Sequence, residues 1–179
     1  MPGNARCLTA ILLGGMLAAA VPLIAASAQP AHTIPASEAM EHESTLAYLG
    51  KLSQRTTPTG AAARHLTAVM KAHMALEEEF VLPPLTLLPS LAAGTVTPDM
   101  RWAIAMSDRV RADKQKLQQV HAGITAANLD LLQAAKAEGD EATVGFCKDL
   151  AADDLADVET TEPTVILIGE ILRAKLPPK

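Results

Sequence analysis

The chain has 179 residues, 49% of them hydrophobic, with 2 cysteines and a net charge of −5. That acidity excludes nucleic acid and anionic membrane surfaces as electrostatic partners. There is no serine elbow, no glycine-rich phosphate loop and no histidine near Cys147 in sequence, so hydrolytic and nucleophilic chemistry have no support.

Residues 1–28 read as an export signal. Arg6 supplies the positive charge, Leu8 to Ala26 is almost wholly apolar or small, and Ala26-Ser27-Ala28 is a small-residue cleavage pattern that leaves Gln29 first. An uncleaved anchor is the alternative, because the apolar run is nearly long enough to span a bilayer. Either way the remainder is delivered outside the cytoplasm, to the periplasm or the medium, and cleavage leaves no membrane attachment. Removing residues 1–28 takes away Arg6 and no acid, so the charge moves from −5 to −6. Only Cys147 then remains, so no internal disulfide can form and stability must come from a core. With four aromatics in all (Tyr48, Phe80, Trp102, Phe146), aliphatic side chains must fill it.

Residues 29–36 hold two prolines and read as a flexible leader in which His32 is solvated. Residues 37–176 form one domain and residues 177–179 a tail. Ser37 caps a first helix that runs to about Arg55, with Glu38 and Glu41 in its first turn. On it Ala39, His42, Leu46 and Leu49 share a face. Thr56 to Gly60 is a turn. The second helix runs from about Ala61 to Leu82, where Pro83-Pro84 end or kink it. Leu85 to Thr97 is an apolar connector. Thr97 caps and Pro98 opens a long third helix reaching about Ala137, with Val110, Leu117, His121, Ile124 and Leu132 on one side. After the turn Glu138-Gly139-Asp140, a fourth helix, about Glu141 to Glu162, carries Phe146, Leu150, Asp153, Ala156 and Asp157 on one face. Pro163 interrupts it, and Val165 to Leu176 forms a last apolar helix. It either caps the bundle or enters a dimer interface, which leaves a homodimer open. No run alternates as a strand does. The expected class is all-α, an up-and-down four-helix bundle with a short extra C-terminal helix.

Chemistry enters with His73-Met-Ala-Leu-Glu77. Residues four apart stand on one face of a helix, and here that face also carries Leu66, Val69, Met70, Phe80 and Val81. A carboxylate on a core stripe needs a partner or a metal, whereas Glu78 and Glu79 fall to the side and need neither. The same arrangement recurs eighty positions later. His73, Glu77 and Pro83 correspond to Asp153, Asp157 and Pro163, and Leu85, Leu87, Leu88 and Leu91 to Val165, Leu167, Ile168 and Ile171. His42 lies thirty-one residues before His73, and His121 thirty-two before Asp153. A pseudo-twofold bundle would bring His42, His73, Glu77, His121, Asp153 and Asp157 to one centre. Packing does not explain why six core-facing positions are metal-ligand types. His65, beside Arg64, is read as a surface residue.

These residues resemble the hemerythrin-like, or HHE cation-binding, family, whose bundles carry a histidine on one helix and a histidine-three-spacer-glutamate pair on the next, repeated in the second half. His73 to Pro83 looks like the first such segment, and Asp153 to Glu170, with its apolar tail, like the second. The resemblance covers about residues 37 to 175. It implies two irons bridged by Glu77 and Asp157, with His42, His73, His121 and Asp153 as terminal ligands, and dioxygen or reactive oxygen or nitrogen species as partners. The family usually has histidine and glutamate where this chain has Asp153 and Asp157. Carboxylate in place of imidazole makes such a site harder and more anionic. A site with one metal, zinc or manganese included, and a metal-free bundle that binds a partner are the alternatives. An exposed Asp153 would favour the last.

Overall fold

The computed structural model describes residues 32–178, and every regular element among them is helical. The expected export signal, residues 1–28, lies outside the described residues. No helix among those described is long and apolar enough to cross a membrane.

Helix α1 spans Ala36–Ser53. Pro35 precedes it, and no side chain caps it, so the expected Ser37 cap is not used. Helix α2 spans Pro58–Leu76 and begins earlier than expected, because the Thr57 hydroxyl accepts a bond from the Gly60 N–H and Pro58 needs no N–H partner at the first turn. The connector after it is a 3₁₀ turn, Pro83–Leu87, and a short helix α3, Leu88–Ala92. The expected third helix is two helices. A 3₁₀ turn Pro98–Arg101 leads into α4, Trp102–Ala112, and α5 runs over Lys114–Glu138. They break at Asp113, whose φ of −90° and ψ of 8° lie outside the helical region. Gly139, at φ 70°, ends α5 in the left-handed conformation, and the Asp140 N–H bonds back to Ala135 at 2.9 Å. Asp140 then caps α6, Glu141–Ala156, by accepting from the Thr143 N–H. Helix α7 spans Glu162–Lys175.

Two wide π turns sit at equivalent places, Glu77–Val81 after α2 and Asp157–Thr161 between α6 and α7. Each begins at the carboxylate of the repeat and closes just before its proline. Pro83 lacks an N–H, and its ring would press on the carbonyl four residues back, so the preceding turn widens. The Leu82 N–H reaches back five residues to Glu77 at 2.8 Å. Ahead of Pro163, the Glu162 N–H does the same to Asp157.

Helix α2 packs against α1 and α5, and α5 against α6, while α4 pairs with α7. Tyr48 of α1 meets α6 through Phe146, with ring centroids 4.5 Å apart, and through the Thr143 hydroxyl at 3.2 Å. One apolar cluster joins Leu49, Leu66, Met70, Met74, Ile124, Leu131 and Leu150. A second joins Phe80, Val81, Val110, Leu117 and Val165. A third, Met100, Ala103, Ile168, Leu172 and Leu176, buries α7 against α4. The last helix is therefore an internal cap, as one of its two expected roles had it. Gly169 makes that crossing possible, since a Cβ there would lie 2.5 Å from the Ser107 Cβ. His32 of the leader stacks on Trp102 at 3.8 Å, and is not the solvated residue expected.

Candidate metal centre

The polar residues lie between the first two apolar clusters. Along α2 and the π turn after it, His73 and Glu77 lie between Met70 and Phe80, and on α5, His121 lies between Leu117 and Ile124. Two protein layers thus enclose a layer of charge, where every ionised group needs a partner.

Glu77, 4% exposed, is the middle of that layer. Its Oε2 lies 3.2 Å from His42 Nε2 and 3.0 Å from His73 Nε2. His73 Nε2 also faces Asp157 Oδ2 at 3.9 Å. One ligand atom from each of His73, Glu77 and Asp157 lies within 4.8 Å of the others. The His73 ring meets the His121 ring edge-on, with centroids 5.0 Å apart, and so joins the two halves.

Of the six residues expected from sequence, five are brought into this layer. Asp153 is not. It is exposed on α6, and the charged partners of His121 are Asp154, at 2.7 Å from Nδ1, and Glu162, at 3.2 Å from Nε2. Asp153 stands beside the buried stripe of α6, Thr143, Cys147 and Leu150, whose next position four residues on is Asp154, and the entry of Glu162 comes from the π turn. Closing bonds over five residues brings residue i+5 towards the face of residue i, so Glu162 follows Asp157 inward. Glu162 is 6% exposed, and α-helical periodicity over 157–162 would have turned it away. Its one signal in the sequence was its place directly before Pro163, matching Leu82 before Pro83. Glu78 also corrects the sequence reading. It accepts from His42 Nδ1 at 3.0 Å and is not an idle flank.

A pattern follows. His42 and His121 each turn Nε2 inward, to Glu77 and Glu162, and Nδ1 outward, to Glu78 and Asp154. An outer carboxylate that holds Nδ1–H fixes the tautomer in which Nε2 is free to bind a metal. Burial opposes protonation of both rings, but the carboxylates outweigh it and raise His42 to about 9 and His121 to about 10. Burial also pushes Glu77 up, yet hydrogen bonds from His42 and His73 hold it well below the usual carboxylate range. Asp157 is pushed upward, first by burial and then by the negative charge of Glu77.

The donor set fits a metal. A cavity of about 20 Å³, enough for one water-sized occupant, is lined by His42, His73, Glu77 and Asp157. His73 is 3% exposed, and its Nδ1 has no hydrogen-bond partner among the described residues. Three imidazoles and three inward carboxylates suit hard or borderline cations. Comparison with family models, curated proteins and solved structures finds no match for this chain.

Proposed function

We propose that this chain is an exported hemerythrin-like protein. Helices α1, α2, α5 and α6 form its four-helix bundle, and the core of that bundle holds a carboxylate-rich site for two metal ions, iron by preference. It binds or reacts with dioxygen or reactive oxygen or nitrogen species, or handles iron. The observation that carries this reading is the shared orientation of His42 and His121, whose Nε2 atoms face inner carboxylates while acidic partners hold their outer nitrogens. His42, His73 and Glu77 would hold metal from the first half, and His121, Asp157 and Glu162 from the second, with Glu162 taking the place expected for Asp153. Glu78 and Asp154 orient the imidazoles. Bound iron would supply the one-electron chemistry that reactions of oxygen require. The protein residues enclose that chemistry between apolar layers and keep the coordinating nitrogens in one tautomer.

A single divalent ion on His73, Glu77 and Asp157 is the second reading, favoured because among the described residues only these three offer atoms close enough to share one ion; zinc or manganese would suit it as well as iron. The exposure of Asp153 favours the third, a metal-free bundle that binds a partner. Elemental analysis of protein purified after growth with iron, with an absorption spectrum in air, separates the three. Two irons per chain with near-ultraviolet charge-transfer absorption supports the paired site, and one ion per chain the single site. No metal after reconstitution with iron, zinc and manganese leaves the metal-free bundle.

A further inference from the structure

We propose that the groove between α1 and α6 is the route by which a hydrated divalent cation reaches the His73–Glu77–Asp157 cluster, with Glu38, Glu41, Asp149 and Asp153 as its acidic vestibule. This rests on the metal-binding reading above.

The cavity lined by His73, Glu77 and Asp157 is also lined by Glu38 and Glu41 of α1 and Asp153 of α6. It adjoins a groove of about 310 Å³ that shares Glu41, Thr45, Leu150 and Asp153 and adds Asp149. Tyr48 and Phe146 lie in that groove, where α1 and α6 meet. The two linings share Glu41 and Asp153, so carboxylates line both the groove and the cavity at the buried centre.

None of these acids pairs with an Arg or Lys among the described residues, and the positive charge beside Glu41 is that of His42, which lines the same cavity. Elsewhere Glu79 pairs with Arg109, Asp140 with Arg55, Glu170 with Arg111 and Asp108 with Arg173. Among the described residues none of the four vestibule carboxylates has an ion pair. Burial, then the charges of Asp153 and Glu38, pushes the Glu41 carboxyl up, and burial, then Asp149, does so for Asp153. At the inner end stands the His73 ring, 3% exposed, which lines the cavity and turns Nε2 to Glu77 and Asp157. A cleft of one sign with low-dielectric walls focuses its field and raises the on-rate of an opposite charge by about 10- to 1000-fold. Dioxygen, being neutral, gains nothing from such a field. A cation does, which explains why Asp153 shares the repeat position of a ligand while standing outside the cluster.

The test is stopped-flow absorbance of Co²⁺ binding to the metal-free protein. The double variant Glu41→Gln/Asp153→Asn is expected to bind about tenfold more slowly at low ionic strength, with a flattened salt dependence, an unchanged amount of Co²⁺ bound and an unchanged Co²⁺ spectrum. Asp130→Asn, an exposed acid on α5, should keep the wild-type rate. An unchanged rate in the double variant overturns the route. So does an altered Co²⁺ spectrum, which would make these residues ligands. Wild-type protein alone gives a check that needs no variant, since a rate that does not rise as salt falls also overturns it. If wild-type protein binds none of Co²⁺, Fe²⁺, Zn²⁺ and Mn²⁺, the metal-binding reading itself fails.

Discussion

Glu162→Gln probes the residue that the π turn carries inward. In the metal-free protein His121 bridges Asp154 and Glu162 with its side chain only 7% exposed. Its pKa is raised to about 10, burial being outweighed by those two carboxylates. A rise from the ordinary histidine value of about 6.5 corresponds to roughly 4–5 kcal/mol at most. Asp154 makes the shorter bond and remains in the variant, so about 2 kcal/mol falls to Glu162. For a domain of this size that lowers the melting temperature by about 4–8 °C. The sign is fixed by the direction of the shift. A folded pKa above the unfolded one gives stability that is complete below about pH 6.5 and lost as pH rises through about 10. Urea and thermal denaturation of metal-free wild-type and variant protein from pH 6 to pH 10.5 should show a gap that is widest at the acid end and closes towards the alkaline end. A gap absent at pH 7, or one that widens with pH, would refute the inward placement of Glu162 against a charged His121.

Three further outcomes are expected. His73→Ala should abolish tight metal binding and His65→Ala, on the exposed side of α2, should not, as read by equilibrium dialysis with elemental analysis; equal losses would sink the ligand assignment. Because His42 and His121 stay protonated at pH 7, at about 9 and about 10, and Asp157 is raised to about 8, filling the site should release about two to three protons, two of them from the inner nitrogens. Calorimetric titration in buffers of different ionisation enthalpy measures that number, and release of less than one proton would count against the exchange of proton for metal. Gly169→Ala, which would set a Cβ 2.1 Å from the Ser107 hydroxyl, should cost about 2–4 kcal/mol in urea unfolding. Adding Ser107→Gly should restore part of it, and no recovery would place the strain elsewhere than in the α4–α7 crossing.

Much of this protein was readable from the order of its residues, because the properties concerned are local. Apolar positions at steps of three and four marked helices over every core segment, and Gly139 and Asp140 marked the turn between α5 and α6. The eighty-residue offset was visible too, and its prolines stand behind both π turns. Five of six expected residues, His42, His73, Glu77, His121 and Asp157, came from that pattern into one layer. What sequence could not decide depended on rotation and on neighbours. A π turn changes which face follows it, so Glu162 came in, while Asp153 fell beside the α6 stripe that Thr143, Cys147 and Leu150 bury and Asp154 took the inner place. Glu78 and Asp154 became partners of His42 and His121 only because α1 packs beside α2 and α5 beside α6. The burial of α7 on α4 likewise came from packing, through the close approach of Gly169 to Ser107. Helical periodicity belongs to a single segment, whereas the partner of a buried charge is settled by whichever side chain another segment brings within reach.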